Sequence, residues 1–93
     1  MKFEWDDEKN RENMRRHGID FADVAAVFDH PMLTSLDDRK DYGEDRWVAI
    51  GLMQNIVAVV VYVEWIEEDR VRFISARPAL RHERKRYQEE VRY

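Results

Sequence analysis

The sequence predicts an α+β fold, and three features carry that reading. Three runs rich in β-branched and aromatic residues, 46–53, 56–65 and 70–77, follow one another with short polar breaks. Two capped helical segments precede them, and a charged helical segment follows Pro78. The predicted order is α-α-β-β-β-β-α: two N-terminal helices, a four-stranded, mainly antiparallel sheet and a C-terminal helix, in one domain spanning 1–93.

Asp6 or Asp7 can cap a first helix over 8–17, because a short acidic side chain accepts from the unpaired N–H groups of the first turn. Gly18 ends it, since glycine enters the left-handed conformation at little cost. Asp20 is a second cap, and Phe21, Val24, Ala25, Val27 and Phe28 give an apolar face at helical spacing before Asp29-His30-Pro31 breaks it. Met32-Leu33 followed by Ser35, Asp37, Asp38, Asp41 and Gly43 reads as a short strand and then a polar loop. The last three runs, separated by Gln54-Asn55 and by 66–69, read as an antiparallel meander. Its middle run is apolar at almost every position and therefore needs cover on both faces or a strongly curved sheet. Pro78 marks a strand-to-helix corner: it lacks an N–H that a helix start would leave unpaired anyway, and it biases Arg77 to extended geometry.

A chain of 93 residues buries a single modest core. It has no cysteine, which excludes disulfides and thiolate metal sites, and its three histidines show no metal-ligand spacing. The run 56–63 is too short for a helix to span a bilayer and ends at Glu64, and the first residues lack the apolar core of a signal peptide. No membrane association and a cytoplasmic location are expected. Net charge is −4, yet it is unevenly spread: residues 70–93 hold eight Lys and Arg against three Glu, and the rest of the chain eight against seventeen. A cluster of guanidinium forks suits phosphate oxygens even in an acidic protein, while the overall acidity argues against strong non-specific nucleic-acid binding.

Strict alternation along 70–77 puts Arg70, Arg72, Ile74 and Ala76 on one face and Val71, Phe73, Ser75 and Arg77 on the other. Only a bulge, or the turn at Pro78, would bring Arg72 and Arg77 together. Each either lies along the surface, pairs with a carboxylate or serves a ligand. His17 closes the first helix, where its cationic form meets the negative end of the helix dipole; that suits a proton donor or a phosphate contact at least as well as a base, and a plain cap is the alternative. Glu44 and Arg46 lie two apart at a strand entry, as a base beside a phosphate ligand or as a simple ion pair. Lys9 lies two turns before His17, about 12 Å along the same helix. Tyr87 is either a packed aromatic or an acid, and Trp5 and Trp47 are expected to be buried against the helices rather than to stack on bases.

Taken together, Phe3-Glu4-Trp5-Asp6, Lys9, Asn13, His17-Gly18-Ile19, Phe21, Glu44, Arg46, Ile50-Gly51, Arg72-Phe73-Ile74-Ser75-Ala76-Arg77, Ala79, Glu83-Arg84 and Tyr87 make the chain resemble the BrnT toxin family. These are ribonuclease toxins of bacterial type II toxin–antitoxin pairs, and the resemblance covers nearly the whole length. It implies a RelE-like fold and RNA cleavage without a metal or organic cofactor. It also implies neutralisation by a ribbon-helix-helix antitoxin, through which the pair contacts operator DNA. The catalytic candidates are then His17, Glu44, Arg46, Arg72, Arg77 and Tyr87, with Lys9, Arg81 and Arg84 as RNA contacts. Pro78, where such toxins more often carry a polar or basic residue, and the acidic balance depart from the pattern. A homodimer is compatible with the sequence. The competing reading is an inactive module that docks an acidic partner or the antitoxin through its Arg-rich end.

Overall fold

The computed structural model describes residues 1–39 and 41–91. The elements are β1 (Lys2–Glu4), α1 (Asp7–His17), α2 (Phe21–Val24) with a 3-10 turn over Ala25–Asp29, β2 (Leu33–Asp37), β3 (Arg46–Met53), β4 (Ile56–Trp65), a 3-10 turn over Ile66–Glu68, β5 (Arg70–Pro78) and α3 (Arg81–Glu90). One mixed sheet has the order β1-β5-β4-β3-β2, with β2 to β5 antiparallel in sequence and β1 added parallel to β5. The α+β class and the meander agree with expectation. The sheet, however, has five strands rather than four, and the second helix is a single turn that tightens into 3-10 geometry. The strand missed is three residues long and pairs with a segment almost 70 positions away, Lys2 with Arg70 and Glu4 with Arg72, so it has no periodicity of its own to read.

Alternate residues of β3 and β4 feed two cores on opposite faces. On one face Ala49, Ala58, Val60, Val71, Phe73 and Ala76 pack against Phe21, Val24 and Val27, with Phe3 stacked on Phe73 at 5.4 Å. On the other, Ile50, Val57 and Val59 pack against Ala79, Tyr87 and Val91 of the α3 region. Each such valine or phenylalanine contributes about 1.5 to 3 kcal/mol by leaving water. The all-apolar middle strand is thus covered on both sides, the first of the two arrangements its composition allowed. Gly51 is where β3 meets the 3-10 turn: a Cβ there would lie 2.6 Å from Val27 Cγ1.

α1 starts as the sequence indicates, with Asp6 accepting from Lys9 N–H at 3.0 Å, and ends at Gly18, whose φ is 72°. It is nevertheless polar almost throughout, and two asparagines dock it. Asn10 donates to Asp20 Oδ1 at 2.9 Å and accepts from Phe21 N–H at 2.8 Å. Buried Asn13 donates to the carbonyls of Ile19 and Ala76, at 3.0 and 2.9 Å, and accepts from Ala76 N–H at 3.1 Å. The side-chain amide therefore stands in for a neighbouring strand where β5 runs past the end of β1. Beyond Pro78, α3 begins three residues later than the proline alone suggested, and Ala79 N–H donates to Val57 O at 2.9 Å in the intervening corner. Among the described residues, no helix is long and apolar enough to cross a membrane.

Candidate active site

A groove runs along β5, with α1 as one of its walls. Three adjoining hollows form it. The first, about 310 Å³, is lined by Lys9, Glu44, Arg46, Arg72 and Ile74 among others. The second, about 220 Å³, shares Lys9 and Ile74 and adds Arg16, His17 and Ser75. The third, about 520 Å³, shares Arg16, His17 and Ser75 and reaches Arg77 and Arg39 over a floor of Val48, Val59 and Val61. The walls held in common make the hollows one path along β5.

A bulge puts both key arginines on this path. Tyr62 pairs with Phe73 and Val61 with Ser75, so Ile74 has no partner across the β4–β5 ladder. The extra residue reverses the alternation after it: Phe73 and Ala76 both face the first core, and Arg72, Ser75 and Arg77 share the opposite face. Strict alternation, which separates Arg72 from Arg77 and groups Ala76 with Arg72, is corrected accordingly.

Neither guanidinium is unpaired. Arg72 donates from Nε to Glu4 Oε2 at 2.9 Å, with Nη2 at 2.8 Å from the same oxygen, and lies 5.6 Å from the Trp65 ring. Arg77 donates from Nη1 and Nη2 to the two Glu83 oxygens at 2.8 and 2.9 Å. Each pairing engages one edge of the fork. Nη1 of Arg72 and Nε of Arg77 lie outside these pairings, Arg77 Nη1 also donates to Pro78 O at 3.3 Å, and the Arg72 and Arg77 side chains remain 50% and 37% exposed. The carboxylates hold the cations in fixed orientations beside an open groove, which lowers the entropy lost when an anion binds. Arg77 in turn draws the Glu83 carboxyl down to about 2, helped by the Leu80 N–H. Arg70 and Arg72 together hold the Glu4 carboxyl below its ordinary value.

Lys9 and His17 both line the groove, two helical turns apart on α1 as predicted. The His17 ring is exposed and makes no hydrogen bond among the described residues. Glu44 and Arg46 face the same hollow, 3.5 Å apart; the Arg46 guanidinium lies 4.0 Å over the Tyr42 ring and its Nε is buried without a hydrogen bond. Three candidates lie elsewhere. Tyr87 is fully buried in the second core, where it donates to Pro31 O at 2.8 Å, and it lines none of the groove hollows. Arg84 donates to Ala79 O at 2.8 Å and borders a separate hollow near Asn55, and Arg81 is exposed on α3 without lining the groove. Arg81, Arg84, Lys85 and Arg86 of α3 line none of the three groove hollows, so the last-helix cations are not gathered there with Arg77. Trp5 packs edge-on to Phe21 at 6.3 Å, and Trp47 lies against the first core.

Sequence reasoning missed Arg16 and Arg39. Arg16 was hidden in a charged helix, and Arg39 sits in an acidic stretch with no pattern to mark it. Its signal is the D-x-R spacing: Asp37 and Arg39 form a bidentate pair at 2.8 and 2.9 Å. Among the described residues, no three His, Asp or Glu side chains are grouped so that they could hold a metal ion.

No curated protein matches the chain. A family model does, over residues 5–83, and it is described as the ribonuclease toxin BrnT of type II toxin–antitoxin systems. That span includes β5 and every groove residue named above except Glu4. The chain belongs to the BrnT family of ribonuclease toxins of type II toxin–antitoxin systems.

Proposed function

We propose that the protein cleaves RNA in the cytoplasm, by attack of a 2′-hydroxyl on the adjacent phosphorus without a metal or organic cofactor, and that a ribbon-helix-helix antitoxin neutralises it. The observation that carries this reading is the continuous groove joining Arg72, His17 and Arg77. An RNA strand lies along β5 with its scissile phosphate near Ser75, between the two guanidinium groups. Their free N–H edges bind the non-bridging oxygens more tightly as negative charge grows on them.

Glu44, at the Arg72 end, takes the proton from the 2′-hydroxyl. The 2′-oxygen then bonds to phosphorus, and the bond from phosphorus to the 5′-oxygen breaks. His17, at the Arg77 end, gives its proton to the departing 5′-oxygen. The products are a 2′,3′-cyclic phosphate and a 5′-hydroxyl, and no further reactant is required. Lys9 and Arg16 contact flanking phosphates. Operator DNA is bound only by the complex with the antitoxin.

Placing a 2′-deoxynucleotide at the scissile position tests the chemistry. Cleavage at that bond stops if the 2′-oxygen is the nucleophile, and continued cleavage there refutes the mechanism. A second reading has its own support: both arginine forks are already paired with carboxylates, as in a module that only docks an anionic partner. Such a module binds ribo- and 2′-deoxy-substituted strands and cuts neither.

A further inference from the structure

The wall of the groove opposite Arg77 is cationic too. Arg39 follows β2 at the rim of the largest of the three groove hollows, and its Nε and Nη2 are tied to Asp37. The Asp37 side chain is only 2% exposed, whereas that of Arg39 is 74% exposed. Arg39 first, and Tyr42 as a further donor at 3.2 Å, hold the buried carboxyl down to about 2, so it stays ionised and the anchor is permanent near neutral pH. The result is a cation fixed at one edge, with its remaining N–H groups over open space.

The charges around it explain why that is unusual. Arg39 lies close enough to Arg77 for its charge to oppose the protonated state of Arg77, which Glu83 outweighs. Two like charges are thus held around one hollow of about 520 Å³, each by a separate carboxylate. Arg70 shows the contrast: it bonds Glu68 and Glu4 from both edges of its fork and lies 3.9 Å over the Trp65 ring, so it is engaged on all sides within the protein. Between Arg39 and Arg77 the floor is apolar, Val48, Val59 and Val61, while the carboxylates that line the hollow, Asp37 and Asp38, lie on the Arg39 side. Cationic rims around an apolar floor complement a nucleotide unit, whose ring prefers the floor and whose phosphates prefer the rims.

We propose that Arg39 is a second phosphate-binding residue, which takes the phosphate next to the one held by Arg77 while the intervening base lies on the valine floor. Asp37 is its positioning residue. The inference rests on reading the groove as an RNA site, and it extends that site across the sheet to β2.

The test is equilibrium binding of a fluorescent RNA oligonucleotide, made uncleavable by 2′-O-methyl groups, at a series of salt concentrations. Wild type is compared with Arg39→Ala, with the double variant Asp37→Asn/Arg39→Ala, and with Arg15→Ala, an exposed arginine of α1 outside the groove. The double variant has the wild-type net charge and no orphaned buried carboxylate, so it carries the test if the single variant misfolds. The expected result is a loss of about tenfold in affinity for both Arg39 variants, with the salt slope shallower by about 0.7, the value of one phosphate contact on a single strand. Arg15→Ala is expected to keep the wild-type slope. Wild-type affinity and slope in the folded double variant overturn the proposal. If wild type binds in an Arg39-dependent way yet cuts no RNA, this inference stands and the nuclease reading falls; if wild type cuts RNA and the Arg39 variants bind and cut equally well, only this inference falls.

Discussion

Arg77 grips Glu83 through both Nη atoms, and one Glu83 oxygen also accepts the Leu80 N–H at 2.7 Å. A single carboxylate thus caps α3 and orients the guanidinium at the end of β5. Because Arg77 depresses the Glu83 carboxyl from 4.5 to about 2, the link contributes stability that is complete above pH 4.5 and is lost as pH falls towards 2. The predicted outcome for Glu83→Gln is a stability deficit that is constant above pH 4.5 and shrinks below it. Urea unfolding of both proteins across that range measures it.

The buried position of Tyr87 in the second core predicts a packing role. Tyr87→Phe keeps the buried ring and removes the bond to Pro31 O. It should cost about 1 kcal/mol of stability and leave RNA cleavage at the wild-type rate. Denaturant midpoints together with a cleavage assay check both halves.

Asn13 makes three hydrogen bonds from a buried position, two of them to Ala76 at the edge of β5. Asn13→Ala leaves an N–H and two carbonyls without that partner, and is expected to destabilise the protein by about 2 to 4 kcal/mol. Thermal unfolding measures the loss. Cleavage should fall with it, since α1 carries Lys9 and His17 over the groove.

The sequence was most legible where side-chain pattern alone decides structure. The bounds of β3 and β4 follow from β-branched runs broken by turn residues, and the ends of α1 from Asp6 and Gly18. What it hid depends on contacts between distant segments. β1 exists only because β5 offers an edge to Lys2–Glu4. The bulge at Ile74 is set by the apolar demands of Phe73 and Ala76 on one core, and it is what joins Arg72 to Arg77. Lys9, His17, Glu44, Arg46, Arg72 and Arg77 were recognisable by residue type and by family resemblance. Arg39 was not, because its value comes from a buried partner and from the arginine across the hollow.

The division of proton transfer between Glu44 and His17 is open to a chemical test. A substrate with sulfur in place of the departing 5′-oxygen needs no proton on its leaving group. His17→Ala is expected to slow cleavage of ordinary RNA by about 100-fold or more and to recover on the sulfur substrate, whereas Glu44→Ala should be slow on both. Recovery of Glu44→Ala instead reverses the two roles.

The central claim is that Arg72 and Arg77, brought to one face by the bulge, hold the phosphate as it breaks. Its most direct measurement is the single-turnover cleavage rate of one RNA by purified wild type, Arg72→Ala and Arg77→Ala, with folding verified by circular dichroism. Each substitution is predicted to cost about 100-fold or more, equivalent to roughly 3 kcal/mol of lost transition-state stabilisation. Folded variants that both cut at the wild-type rate would contradict the account.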